Sequence, residues 1–290
     1  MFKKSRPPEP ILSAHPNGHF YSPVVDPGSL AAHAETIWRA DPEVLGIEFN
    51  DASHLQILQG DFPAYIGAYD YPESLEESED LDSFYTQNSQ FGWLDARTLF
   101  VLLQKWQPAR VIEVGSGFSS LLIADVSTRL LPEPFEFTCI EPYPRPFLKN
   151  SPRGVNHLLQ QKVENVPLSV FDELEAGDIL FIDSSHVSKT GSDVNYLYFE
   201  VLPRLRAGVH IHIHDIFLPL EYPREWVLDE NRSWNEQYMV RALMMYSGGF
   251  RVSFGCNYAF WKYPEEVIKA LNLSSGAGFG GGSFWITRMS

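Results

Sequence analysis

Three histidines stand on alternate positions in Gly208 to Phe217, GVHIHIHDIF, and the run ends on an aspartate. In an extended chain successive side chains point to opposite faces. His210, His212 and His214 therefore share one face, while Ile211 and Ile213 pack on the other. At ~3.3 Å per residue, His210 and His214 lie about 13 Å apart, too far to share one ion. The expectation is that His210 and His212 pack as polar residues against a neighbouring helix and that only His214 and Asp215 reach a crevice at the strand end. A second stretch, LFIDSSHVSKTGSDV, ends an apolar run on Asp183, with His186 three residues into the following loop and Asp193 further on. Asp183, His214 and Asp215 together offer two carboxylates and an imidazole. Such a set would hold a divalent ion, and the imidazole shifts preference from Mg toward Mn, Fe or Zn. A metal-free alternative stays open, with His214 or His186 as general base and Asp215 orienting it, because imidazole titrates closest to neutral pH. So do plainer readings: aspartates cap turns, Ser184 or Ser185 could cap the next helix, and His186 could be a hydrogen-bonded loop histidine.

A further constellation begins at VIEVGSGFSS, where Gly115 and Gly117 stand at a sharp turn between an apolar strand and a helix. Glycine there lets backbone approach a ligand, and the next strand ends on an acid, Glu141 in FTCIEPYP, which can accept both ribose hydroxyls of an adenosine. A dinucleotide fingerprint wants Gly or Ala at the third position, but Ser120 occupies it. Glu113 argues harder: a carboxylate two residues before the first glycine would repel a pyrophosphate and suit an ammonium. S-adenosylmethionine carries that ammonium and no phosphate. Glu113, Gly115, Ser116, Gly117, Ser119, Glu141 and Asp183 form the expected cofactor-binding set.

These residues need elements to hold them. RVIEVG, FEFTCIE, GVNHLLQ, GDILFID, GVHIHIH, FRVSFGC and SFWITRM read as seven strands, with DARTLFVLLQKWQP and SSLLIADVSTRLL as helices at apolar 3.6 spacing. Near-continuous apolar strands alternating with helices imply a parallel sheet covered on both faces, with ligands beyond the carboxyl ends of its strands. In SWNEQYMVRALMMYSGG, Ser233 and Glu236 have capping-box spacing, so Glu236 reads as structural. Trp234 and Tyr238 are candidates to line an acceptor pocket. Tyr85, Asn88 and Phe91, ahead of the first strand, are candidates for a lid. GAGFGGGSFW lacks the lysine of a phosphate loop and reads as a connection into the last strand.

With 290 residues, 44% of them hydrophobic, the chain can fill one large α/β core. Its net charge of -15 argues against a nucleic-acid partner. No run approaches the ~20 apolar residues of a membrane span, and the N-terminus has no signal-type apolar segment. A soluble, cytoplasmic protein without a membrane partner is expected. Cys139 and Cys256 sit in apolar runs without metal spacing and read as buried free thiols. Seven acids and no base between Asp70 and Asp82 mark a linker, which divides an N-terminal helical or irregular cap, 1–83, from a main domain, 84–290.

EVGSGFSS, IEPYP, DILFIDSSHVSKTGSDV and HIHDIFLPLEYP, in that order, resemble the class I S-adenosylmethionine-dependent methyltransferases, and within them the subgroup called methyltransferase family 24. The resemblance runs from about Phe84 to the C-terminus. It implies a Rossmann-like, doubly wound, mostly parallel seven-stranded sheet with the last strand antiparallel, and an acceptor over the ends of strands four and five. In the catechol-type metal-dependent relatives, an Asp on strand four and an Asp-Asn pair on strand five hold magnesium. Here Asp183 matches, but His214 stands for the Asp and Asp215 for the Asn. The expected function is O-methylation of a small polar acceptor, a sugar or secondary metabolite, with S-adenosyl-L-methionine and a divalent metal (Mg, Mn or Fe) as cofactors. An NAD(P)-dependent oxidoreductase and a non-catalytic cofactor-binding subunit are the alternatives. A homo-oligomer stays open.

Overall fold

Seven strands form where the apolar runs fall: β1 Arg110–Val114, β2 Glu136–Ile140, β3 His157–Leu159, β4 Ile179–Ile182, β5 His210–Ile213, β6 Phe250–Gly255 and β7 Phe284–Arg288. In the computed structural model, which describes residues 13–76, 81–150, 152–272 and 281–290, they make one sheet in the order β3-β2-β1-β4-β5-β7-β6. β1 pairs with β2 and β4, β2 with β3, and β4 with β5, all in parallel, while β7 runs antiparallel to both β5 and β6. The expected doubly wound sheet with an antiparallel last strand is therefore present. Strand order reverses between β1 and β4, and the crevice beyond their carboxyl ends is where such sheets take ligands.

Period-two alternation separates two apolar layers. On one face Val111, Phe137, Ile179 and Phe181 pack with helices α1, Trp93–Trp106, and α2, Phe118–Arg129. On the other, Ile112, Val114, Leu180, Ile182, Ile211 and Ile213 pack with Leu197, Val201 and Val240. Leu99, Phe100, Leu102 and Leu103 of α1 are buried, each burial contributing about 1.5–3 kcal/mol. Because β4 is buried along its whole length, no polar residue is tolerated until it ends, and Asp183 is the next position. This is how an apolar strand delivers a carboxylate to the crevice.

The chain divides into two compact units. The larger, Asp41–Leu220 with Trp234–Ser290, contains the sheet and a helical stretch from Asp51 to Tyr65 whose Ile57, Leu58 and Phe62 join the α1/α2 apolar layer. The smaller comprises Met1–Ala40 and Glu221–Ser233. Within it Asp26 caps the short helix Pro27–Ala31, and the Trp38 indole donates to the Tyr222 carbonyl at 2.7 Å. Residues 77–80 of the acidic run, the N-terminal lysines and residues 276–280 of the glycine-rich stretch lie outside the described residues. Cys139 and Cys256 are buried free thiols. Among the described residues no helix is long and apolar enough to cross a membrane.

Candidate active site

Asp183 leaves β4 and Asp215 follows His214 at the end of β5, so both carboxylates emerge on adjacent parallel strands. His186 returns to meet them because its backbone is left-handed, φ +60°. Its Nε2 lies 3.4 Å from Asp183 Oδ1 and 3.3 Å from Asp215 Oδ2, and its Nδ1 lies 2.9 Å from Glu236 Oε2. One donor atom each from Asp183, His186 and Asp215 falls within 4.8 Å of the others. The donor set read from the sequence was Asp183, His214 and Asp215. His214 does face the same carboxylates, its Nδ1 3.4 Å from Asp183 and 3.6 Å from Asp215. Its other nitrogen is bound to Asp95 at 3.3 Å, however, and the trio that closes on one point contains His186.

The charges are strongly coupled. Burial works against the carboxylate of Asp183, but the imidazoles of His214 and His186 hold its pKa well below the usual range. Burial alone would lower His186, yet Asp183 and Glu236 raise it to about 10. His214 is likewise raised against burial by Asp215 and Asp183, while burial raises Asp215 and Glu236.

Beside this cluster lies a cavity of about 330 Å³ whose lining includes Gly115, Ile140, Glu141, Val163, Asp183 and Ser184. Gly115 has φ +85°, and a Cβ there would stand 1.6 Å from the Asp183 carbonyl oxygen, so only glycine permits the crossing of the two strand ends. Glu141 Oε1 accepts from the Tyr143 amide at 2.7 Å; burial raises its pKa. Glu113 is fully buried instead. The Ser119 hydroxyl donates to it at 2.6 Å and the Ser120 hydroxyl donates to its other oxygen, while burial lifts its pKa to about 7. Ser120 Oγ also accepts from the Gly117 amide at 3.0 Å, which is why a serine serves where a dinucleotide turn wants glycine. Glu113, Ser116, Gly117 and Ser119 thus build the turn, whereas Gly115, Glu141 and Asp183 line the cavity.

Residues 112–216 match the family model described as a methyltransferase domain, Methyltransf_24. Over that span the chain carries a methyltransferase domain. An uncharacterised protein of Archaeoglobus fulgidus is 36% identical over 188 residues, covering 60% of this chain and 81% of the relative. Similar solved structures include the O-methyltransferase TomG of Streptomyces achromogenes in complex with SAM, at 13% identity and TM-score 0.40, covering 90% of this chain and 96% of that one. The O-methyltransferase of Bacillus cereus in complex with SAH has 13% identity and TM-score 0.39, covering 90% and 97%. The family match and the strand order carry the assignment, and a nucleotide oxidoreductase is set aside.

Several other residues of this methyltransferase depart from their expected roles. Ser192, not Ser184 or Ser185, caps the helix Asp193–Tyr196 by accepting from the Asn195 amide, and Asp193 instead accepts from the Ser185 amide and hydroxyl at 2.8 and 2.6 Å. Ser233 does not cap the helix α3, Glu236–Met244, which begins after Asn235; its hydroxyl accepts from the Val25 amide. The capping box fails because Glu236 turns inward to His186. Phe91 is buried beside His214, ring centroids 5.2 Å apart, and Asn88 ties the 85–91 turn by donating to the carbonyls of Tyr85 and Phe91. These bonds close the turn on itself, and none of Tyr85, Asn88 or Phe91 lines the cavity. Trp234 lies 4.4 Å from the His186 ring, centroid to centroid, whereas Tyr238 is exposed. His210 stacks on Trp106 of α1 as expected, whereas His212 stacks on Phe181 of the neighbouring strand β4 and not on a helix, each at 3.7 Å.

Asp95 and Glu236 are the partners that sequence reasoning missed. Asp95 sits in the first turn of α1, where an acid reads as a complement to the helix dipole. In the fold it is buried and accepts from the amides of Gly282 and Ser283 at 3.0 and 2.9 Å. No linear signal joins it to His214.

Proposed function

We propose that this methyltransferase transfers its methyl group to a hydroxyl oxygen of a small polar acceptor, a sugar or secondary metabolite, beside a divalent ion held by Asp183, His186 and Asp215. The observation that carries the reading is that Asp183 both lines the cofactor cavity and belongs to the three-residue donor group. Methyl donor and acceptor activation would therefore meet at one carboxylate. The buried charge supports it: among the described residues Asp95, Asp183, Asp215 and Glu236 lie against His186 and His214, a net negative cluster whose charge a divalent cation would offset. With an imidazole among the donors, Mn or Fe suits the group better than Mg.

S-adenosylmethionine, when bound, supplies a methyl already activated by its sulfonium. A divalent ion would lower the pKa of an acceptor hydroxyl. The remaining work belongs to the chain. In this reading Glu141, which lines the cavity, accepts the ribose hydroxyls, Gly115 lets the backbone approach the cofactor, and the carboxylates hold the acceptor in line at ~3–3.5 Å. His214, held by Asp95, keeps positive charge beside Asp183. In this reading residues 84–290 carry the chemistry and residues 1–83 form the cap ahead of it.

The test is methyl transfer from labelled S-adenosylmethionine to a panel of sugars and phenols. Chelator should reduce transfer at least about tenfold, Mn should restore it, and Asp215→Ala should abolish the restoration. Transfer unchanged by both chelator and Asp215→Ala would overturn the metal-assisted reading.

A further inference from the structure

Glu236 is a fully buried carboxylate at the start of α3. Burying an ionised group is costly unless it is paired; Nδ1 of His186 lies 2.9 Å from Oε2, and the Tyr198 hydroxyl also interacts with this carboxylate. The same ring presents Nε2 to Asp183 and Asp215 at 3.4 and 3.3 Å. Backbone holds the histidine as well. The amides of Asn235 and Glu236 both donate to the His186 carbonyl, at 3.1 and 3.2 Å, and Asn235 Oδ1 accepts from the Ser188 amide at 2.6 Å while its Nδ2 donates to the Ser188 carbonyl. The start of α3 therefore clamps the loop in which His186 keeps its left-handed backbone. An imidazole that binds through Nε2 must carry its proton on Nδ1, and a carboxylate opposite Nδ1 specifies that tautomer and fixes the plane of the ring.

We infer that Glu236 is a positioning residue that aims Nε2 of His186 at the point shared with Asp183 and Asp215. The inference rests on the metal reading above and deepens it: the donor group would have a carboxylate-imidazole arm built from a helix 50 residues downstream of the loop it serves.

Calorimetric titration of Mn into the full chain tests it, with S-adenosylhomocysteine titration as the control for an intact fold. The Mn resonance spectrum reports the ligand set. Glu236→Ala should bind S-adenosylhomocysteine within about twofold of wild type while its Mn affinity falls by about 10–100-fold and the spectrum changes. Glu236→Gln, whose amide carbonyl still accepts from Nδ1, should lie between the two and recover much of the wild-type spectrum. If Glu236→Ala fails the control, Glu236→Gln decides alone: a several-fold loss supports the role, and wild-type affinity overturns it. Wild-type Mn affinity and spectrum in Glu236→Ala, with binding lost in Asp215→Ala, would overturn the inference and leave the metal reading standing. Absence of Mn binding to wild type would overturn both.

Discussion

Gly115 and His54 show how single residues set conditions on the fold. A methyl group at Gly115 meets the Asp183 carbonyl carbon and oxygen and must adopt a positive φ. Gly115→Ala is expected to destabilise by about 2–4 kcal/mol through overpacking and left-handed strain. It should also lose S-adenosylhomocysteine binding, measured by urea unfolding and calorimetry. His54 is fully buried; its Nε2 accepts from the Gly255 amide at 2.8 Å and its Nδ1 donates to the Asn50 carbonyl at 3.2 Å. Protonation would set two donors against each other, and burial lowers the pKa from 6.5 to about 4. The folded pKa lies below the unfolded one, so this stability is complete above pH ~6.5 and is lost as pH falls toward ~4, up to about 3 kcal/mol. The stability gap between wild type and His54→Gln should therefore narrow from pH 7.5 to pH 5 in urea melts. A gap independent of pH would contradict the assigned tautomer. Gly115 and Asp183 were legible because glycine and acid stand at strand ends; His54 was not, because its partner strand is 201 residues away.

Elements were legible where periodicity is strong. All seven strands fall on their apolar runs, and alternation correctly sends His210 and His212 to one face, where Trp106 and Phe181 stack on them. Helix starts were harder. The Ser233 and Glu236 spacing fits a capping box, but a buried imidazole competes for the glutamate and wins, since an unpaired buried charge costs more than a lost cap. Asp95 does for elements what Gly115 does for a turn. It joins the start of α1 to the start of β7 through two amides and to the end of β5 through His214. Asp95→Asn turns an NH2 group against one of those donors. It should destabilise by about 3–5 kcal/mol, read as a lower urea midpoint with unchanged slope. A loss below about 1 kcal/mol would show that the junction is held by packing alone.

At the scale of the molecule, the sheet order places the cavity and the Asp183, His186 and Asp215 group on either side of Asp183, the adjacency on which the proposed function rests. The sequence reveals the order of the blocks but not which distant side chains converge: Asp95 and His214 are 119 residues apart, and nothing local connects them. Ligand binding only to the folded state must stabilise it by mass action. At S-adenosylhomocysteine concentrations about 100 times Kd, unfolding free energy should rise by about 2.7 kcal/mol, visible as a higher Tm, while NADH should leave Tm unchanged.

The most direct measurement is calorimetric titration of S-adenosylhomocysteine into wild type and Glu141→Ala, with and without Mn. The proposed cofactor site, lined by Gly115, Glu141 and Asp183, predicts saturable binding of one molecule per chain, weakened at least about tenfold by Glu141→Ala, which removes the proposed ribose acceptor. Absence of binding, or equal binding to both proteins, would contradict the placement of the cofactor between the ends of β1 and β4 on which the whole reading depends.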